Sequence, residues 1–196
     1  MKKNKMVDLI ASSAHESIHA LETSVKRLAP DIADAASMIA ASIGKGGRIL
    51  ACGNGGSAAD AQHLAGELVG RFLMDREPYS AIALSSDTSV ITSLANDFGY
   101  ECVFERQVLA HGRKGDVLVA ISTSGNSPNV LCALEAAKKI NMKIIGLTGK
   151  GGGKMLGLVD VLLDADSTLT PRIQETHGFI IHALCDLTEW LLNEPD

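Results

Sequence analysis

Apolar positions at the start of the chain recur at helical spacing. Met6, Ile10, Ala14, Ile18, Leu21, Val25 and Leu28 step by three or four, the stripe of one long amphipathic helix. Pro30 and Asp31 then predict a fresh start, a second helix through 31–43 closed by Gly44 and the Lys45-Gly46-Gly47 turn. Beyond the turn the pattern changes to short apolar runs at 48–52, 81–84, 116–122, 143–148 and 160–165. Most are continuous rather than alternating, as strands buried on both faces must be. Between them lie helical segments near 57–70, 87–97, 99–111 and 127–140. A last helix covers 172–192, with Ile173, Ile180, Leu184, Leu187 and Leu191 on one side. Strand–helix alternation implies right-handed crossovers and a parallel sheet covered by helices. The expectation is an α/β fold: a three-layer, doubly wound, parallel five-stranded sheet with an N-terminal helical extension over 1–44. The long first stripe has two readings, packing on its own domain or a helical interface between subunits of a homo-oligomer, shared with the last helix.

Composition narrows this picture. A chain of 196 residues, 46% hydrophobic and 21% charged, suits one domain over 1–196 with a single sizeable core. Aromatics are only 4%, so that core is built from Ala, Val, Leu and Ile. A formal net charge of −5 argues against a sequence-independent nucleic-acid binder. The basic N-terminus never enters an apolar run, so it does not read as a signal peptide, and no segment offers the roughly 20 apolar residues that span a bilayer. Cys52, Cys102, Cys132 and Cys185 are scattered without metal or disulfide spacing. They read as reduced, buried thiols of a cytoplasmic protein.

Ligands of a parallel sheet bind beyond the carboxyl ends of its strands, and three such loops have unusual composition. The first strand runs into Gly53-Asn54-Gly55-Gly56-Ser57 and a helix. The glycines allow close approach of the backbone, and the helix start offers unpaired N–H groups. A dinucleotide fingerprint lacks its acidic partner about 20 residues on. A triphosphate loop lacks its lysine. The second loop, Ser122-Thr123-Ser124-Gly125-Asn126-Ser127, is a dense array of neutral donors suited to a phosphomonoester held without a cation. Ser127 followed by Pro128 also reads as an ordinary helix cap, but capping leaves the other three hydroxyls unexplained. The third loop, Leu147–Gly153, reads as a flexible glycine-rich rim.

Proton-transfer groups cluster on two helices. His63 and Glu67 stand four apart on the helix that leaves the first loop, a spacing suited to a metal or to a base with its orienter. The last helix carries Gln174, Glu175, His177 and His182. At about 100° per residue, His177 lies roughly 60° to one side of Gln174 and His182 roughly 80° to the other. The histidines therefore face different surroundings. Gln174 and His182 are also about 12 Å apart along the axis. They meet one ligand only by leaning together or if a neighbouring subunit supplies one of them.

The stretches ACGNGGSAADAQHLAGEL, LANDFGYECVFERQV, GDVLVAISTSGNSPNV, LTGKGGGKM and RIQETH resemble bacterial phosphoheptose isomerases, a family of sugar isomerase (SIS) domain proteins. The likeness covers nearly the whole chain. It implies isomerisation of sedoheptulose 7-phosphate to D-glycero-D-manno-heptose 7-phosphate, and a homotetramer with active sites near subunit interfaces. It also implies one zinc ion on His63, Glu67, Gln174 and His182. Substrate contacts would come from Asn54, Gly55, Gly56, Asn96, Asp97, Ser122, Thr123, Ser124 and Ser127, with Glu67 and Gln174 also touching the sugar. Family members often carry Asp where this chain has Pro171, so a role of that acid does not carry over. Ketose–aldose exchange moves a proton between C1 and C2 through an enediol(ate). Glu67 is expected to shuttle the proton, with His182 as the partner acid/base. Precursors for lipopolysaccharide heptose are the family's expected product. The alternatives are a non-catalytic SIS scaffold that associates with the bacterial replication initiator and a sugar-phosphate sensor. The scaffold group lacks the acid matching Glu67.

Overall fold

The computed structural model describes residues 2–193. Helix α1 (Lys2–Ile43) leads into strand β1 (Ile49–Gly53), followed by α2 (Gly56–Val69), β2 (Ala81–Ala83), α3 (Thr88–Phe98) and α4 (Val103–His111). Strand β3 (Val117–Ser122), α5 (Pro128–Lys139), β4 (Lys143–Thr148), β5 (Val161–Asp164) and α6 (Thr170–Asn193) follow among the described residues. All four strand pairings are parallel, in the order β2-β1-β3-β4-β5. This is the expected doubly wound sheet. The direction of winding reverses between β1 and β3, and a crevice opens beyond their carboxyl ends.

Strand alternation sorts the core into two layers. Ile49, Ala51, Val117, Val119, Ile121, Ile145 and Leu147 face α1, α2 and α6. Leu50, Cys52, Leu118, Ala120 and Ile144 face α4 and α5. Cys52 and Cys185 are buried as expected, whereas Cys102 and Cys132 are half-buried, and all four are free thiols.

The predicted break at Pro30 does not occur. α1 is one helix of 42 residues with Pro30 inside it. The proline ring removes the hydrogen bond to the carbonyl four residues back, but Lys26 and Pro30 lie on the exposed side, where water can reach that carbonyl. Leu28, Ile32, Ala35, Ala36 and Ile39 are buried on both sides of the proline and hold the helix through it. α6 begins at Thr170, two residues before the expected start, because Pro171 in its first turn lacks only an N–H that has no helical partner there. Among the described residues no helix is long and apolar enough to cross a membrane.

Candidate active site

The loops after β1 and β3 meet at the switch point through an amide pair. Asn54 Nδ2 donates to Asn129 Oδ1 and Asn129 Nδ2 to Asn54 Oδ1, both at 2.9 Å. The Tyr100 hydroxyl adds a third bond to Asn54 Oδ1 at 3.0 Å. Asn54 is thereby fixed in orientation, with one Nδ2 hydrogen left for a ligand. An open cavity of about 340 Å³ lies here, lined by Asn54, Tyr100, Glu101, Ser127, Pro128 and Asn129. A larger one, about 490 Å³, opens at the far end of the sheet among Lys45, Arg48, His111 and Arg113. Arg113 there donates to the carbonyls of Ala110 and Gly112 at the end of α4, and Arg48 Nε to Ser80 Oγ, so these two side chains are engaged within the fold.

The loop after β3 bears on one of the two readings of Ser127. It occupies the cap position before Pro128, yet its side chain makes no capping bond. Its Oγ instead lies 3.0 Å from Ser122 Oγ, which is 3.5 Å from Ser124 Oγ. The hydroxyls gather over the open N-terminus of α5, whose partial positive charge suits an anion. The loop after β4 is not a free rim. Gly149 N–H donates to Thr123 O at 2.9 Å, Met155 N–H to Gly125 O at 3.1 Å, and Lys154 N–H to Asn126 Oδ1 at 3.1 Å. Gly125 sits at φ 63°, and a β-carbon there would stand 2.1 Å from the Gly152 carbonyl oxygen, so the two glycine loops interlock.

Helices α2 and α6 run side by side in the same direction, which fixes where the proton-transfer groups lie. At the head of the pair, a β-carbon on Gly56 would stand 2.1 Å from Gln174 Nε2, so glycine here makes room for the Gln174 amide. Two turns further on, His63 Nε2 lies 3.2 Å from His182 Nε2, with the rings edge to face at 4.9 Å. Glu67 Oε1 is 3.3 Å from His63 Nε2. His63 thus stands between Glu67 and His182 in a half-exposed cluster. Among the described residues no three His, Cys, Asp or Glu side chains form a closed metal cluster. Gln174 is about 10 Å up the helix pair from this trio, seven residues of α2 at about 1.5 Å each. Asn96 and Asp97 are exposed near the end of α3, joined to each other at 2.8 Å.

Several residues around the site are not singled out by the sequence pattern. Asn129 and Tyr100 orient Asn54. Asp60, one turn before His63, carries a buried Oδ2 without a partner. Burial pushes its carboxyl above the usual carboxylate range, against the pull of the His63 charge. Phe72 lies 5.3 Å from the His182 ring. Asn129 was the most legible, two residues past Ser127 at a helix start; the others are assembled only by the tertiary fold.

A model of the SIS domain matches residues 14–149, more than half of the chain. Over 188 residues the sequence is 53% identical to the phosphoheptose isomerase of Desulfovibrio desulfuricans, covering 96% of this chain and 90% of that one. The chain belongs to the phosphoheptose isomerase family of SIS-domain proteins. The Rhodospirillum rubrum phosphoheptose isomerase is 55% identical to this family member over 161 residues, 82% of this chain and 86% of the relative. The phosphoheptose isomerase GmhA from Neisseria gonorrhoeae superposes on it with a TM-score of 0.89 at 45% identity, covering 94% and 98% of the two chains.

Proposed function

We propose that this isomerase interconverts sedoheptulose 7-phosphate and D-glycero-D-manno-heptose 7-phosphate, with Glu67 and His182 carrying the proton. The observation that carries this reading is the His63–Glu67–His182 cluster, which places a carboxylate and two imidazoles together on two rigid helices. In this reading the phosphate lies against Ser122, Thr123, Ser124 and Ser127, with Asn54, Gly55 and Gly56 from the facing loop and Gln174 above Gly56. Asn96 and Asp97 reach the sugar from the end of α3. Glu67 takes the proton from C1 of the ketose, and the enediolate is reprotonated at C2. His182, in the same cluster, exchanges the hydroxyl proton. Each such transfer by a positioned group accelerates a reaction by about 10²–10⁴-fold.

Zinc is part of the proposal. Two ligands on one tetrahedral ion with bonds of about 2.0 Å stand about 3.3 Å apart, which suits the 3.2 and 3.3 Å separations around His63. Two imidazoles and a carboxylate are donors of the right kind; the Gln174 amide, about 10 Å away on the same chain, would have to come from another subunit. When bound, the ion would polarise the C1 and C2 oxygens as a Lewis acid.

The distances favour a site shared between chains, in line with the homotetramer that the family resemblance implies. Glu67 is eleven residues down α2 from Gly56, about 16 Å along the axis. The phosphate loop and proton-transfer cluster of one chain are thus far apart, and so are Gln174 and His182. A second chain that brings its own cluster against this chain's loops would complete each site.

The test is NMR of sedoheptulose 7-phosphate with metal-depleted protein, before and after adding zinc. The aldoheptose 7-phosphate should appear, with a rate that depends on zinc. Absence of conversion in both states would favour the scaffold reading. Replacing Glu67→Gln should lower turnover at least about 100-fold while leaving binding of the phosphate end intact; full turnover in that variant would remove Glu67 from the mechanism.

A further inference from the structure

The segment between α2 and β2 is tied down by one buried carboxylate. Glu189 on α6 is 1% exposed. Its Oε1 accepts from Phe72 N–H at 2.9 Å and Arg76 Nε at 2.8 Å; its Oε2 accepts from Leu73 N–H at 2.9 Å and Met74 N–H at 2.8 Å. Burial opposes its charge, but those N–H groups and the Arg76 cation outweigh it and hold the carboxyl below its usual range. The Arg76 side chain is 3% exposed. Its other nitrogens donate to carbonyls at the end of α2, Leu68 O at 3.0 Å and Glu67 O at 2.9 Å, and its guanidinium lies 3.7 Å over the Tyr79 ring.

These bonds close a circuit around the cluster. Arg76 caps the carbonyl of Glu67 itself. Glu189 fixes the backbone of Phe72, whose ring lies 5.3 Å from the His182 imidazole at 37°. His182 touches His63, and His63 touches Glu67. A loop that only needed anchoring would be held as well by apolar packing, because burying an ion pair costs about as much as it returns. A fully satisfied buried network instead selects one geometry. Here the geometry it selects sets both the carboxylate-bearing turn of α2 and the ring that backs His182.

We propose that Glu189, Arg76 and Phe72 are positioning residues for proton transfer, holding His182 and Glu67 in register across the two helices. The proposal rests on the reading of Glu67 and His182 given above. None of the three need touch substrate, and the phosphate loop is remote from them.

The decisive comparison is steady-state kinetics and His182 imidazole NMR for wild type, Phe72→Ala, Phe72→Tyr and Glu189→Gln. Phe72→Ala should lower kcat about 10- to 100-fold, as small displacements of reacting groups do, with KM within about threefold. Phe72→Tyr, which keeps the ring, should restore most of kcat. His182 resonances should shift in Phe72→Ala and Glu189→Gln while those of His177 stay in place. An unchanged kcat per folded molecule, a loss in KM instead, or no rescue by tyrosine would overturn the proposal. Should the wild type prove inactive, the isomerase reading falls by itself. The NMR arm then decides the positioning claim, and unmoved His182 resonances would end it.

Discussion

His177 and His182 stand five positions apart on α6 and live in opposite conditions. His177 is fully buried, and its Nε2 donates to the Thr148 carbonyl at 3.0 Å. Burial pushes its pKa down to about 4, against about 6.5 in an unfolded chain. Between those values the unfolded chain takes up a proton that the fold refuses, so stability falls as pH drops from about 6.5 to about 4. One pKa unit corresponds to about 1.4 kcal/mol, so the loss across the window is a few kcal/mol. His177→Gln, which keeps a donor for Thr148, should flatten this dependence, as urea unfolding at pH 7 and pH 4.5 would show. A slope as steep as that of the wild type would assign the acid sensitivity elsewhere. The different surroundings of the two histidines were legible from 100° per residue. Which of them would be buried was not, because that depends on the helix lying alongside. The cysteines divide in the same way: burial pushes Cys52 and Cys185 up to about 12, whereas Cys102 and Cys132 keep some exposure.

At the scale of elements, the sequence was most informative where burial is complete. The central strands β1, β3 and β4 were legible as apolar runs because both of their faces are buried; the edge strands β2 and β5 are only partly buried, yet all five observed strands end within a residue of the expected positions. The helix does not break at Pro30 because a tertiary effect overrides the local rule: Leu28 and Ile32 on either side are buried and the proline is not. The β4 loop shows the same limit from the other direction. Glycine content suggested freedom, whereas interlocking with the β3 loop requires glycine for close approach. Gly125→Ala tests this directly. Its φ of 63° disfavours any side chain by about 1–2 kcal/mol, and the Gly152 oxygen occupies the new methyl's place. The variant should lose affinity for inorganic phosphate at least tenfold by calorimetry. Retained affinity would separate the loop's shape from its binding. Of the candidate site, the hydroxyl nest and the His63/Glu67 pair were legible as local spacings. The pairing of His63 with His182 and of Gly56 with Gln174 was not, because it follows from the register of two helices far apart in sequence.

The whole molecule leaves one long surface uncovered. α1 is about 63 Å long at about 1.5 Å per residue, and none of its residues before Ala20 is buried. Met6 is 63% exposed and Ile10 69%. An apolar stripe of this size is what a subunit interface provides for. Light scattering should report a mass near four chains for the wild type. Ile10→Glu combined with Ile18→Glu should lower it and reduce turnover together, since each proposed site draws on two chains. An unchanged mass would place the interface elsewhere. The link between α2 and α6 has a further consequence, in time rather than in space. Arg76 and Glu189 are 113 positions apart in sequence, so their pairing must wait until most of the intervening sheet has assembled. A contact formed so late is expected to be absent from the folding barrier. Weakening it should leave the rate of folding nearly untouched and hasten escape from the native state instead. The ion pair would then act as a latch on the finished molecule, setting how long it stays folded rather than how fast it gets there.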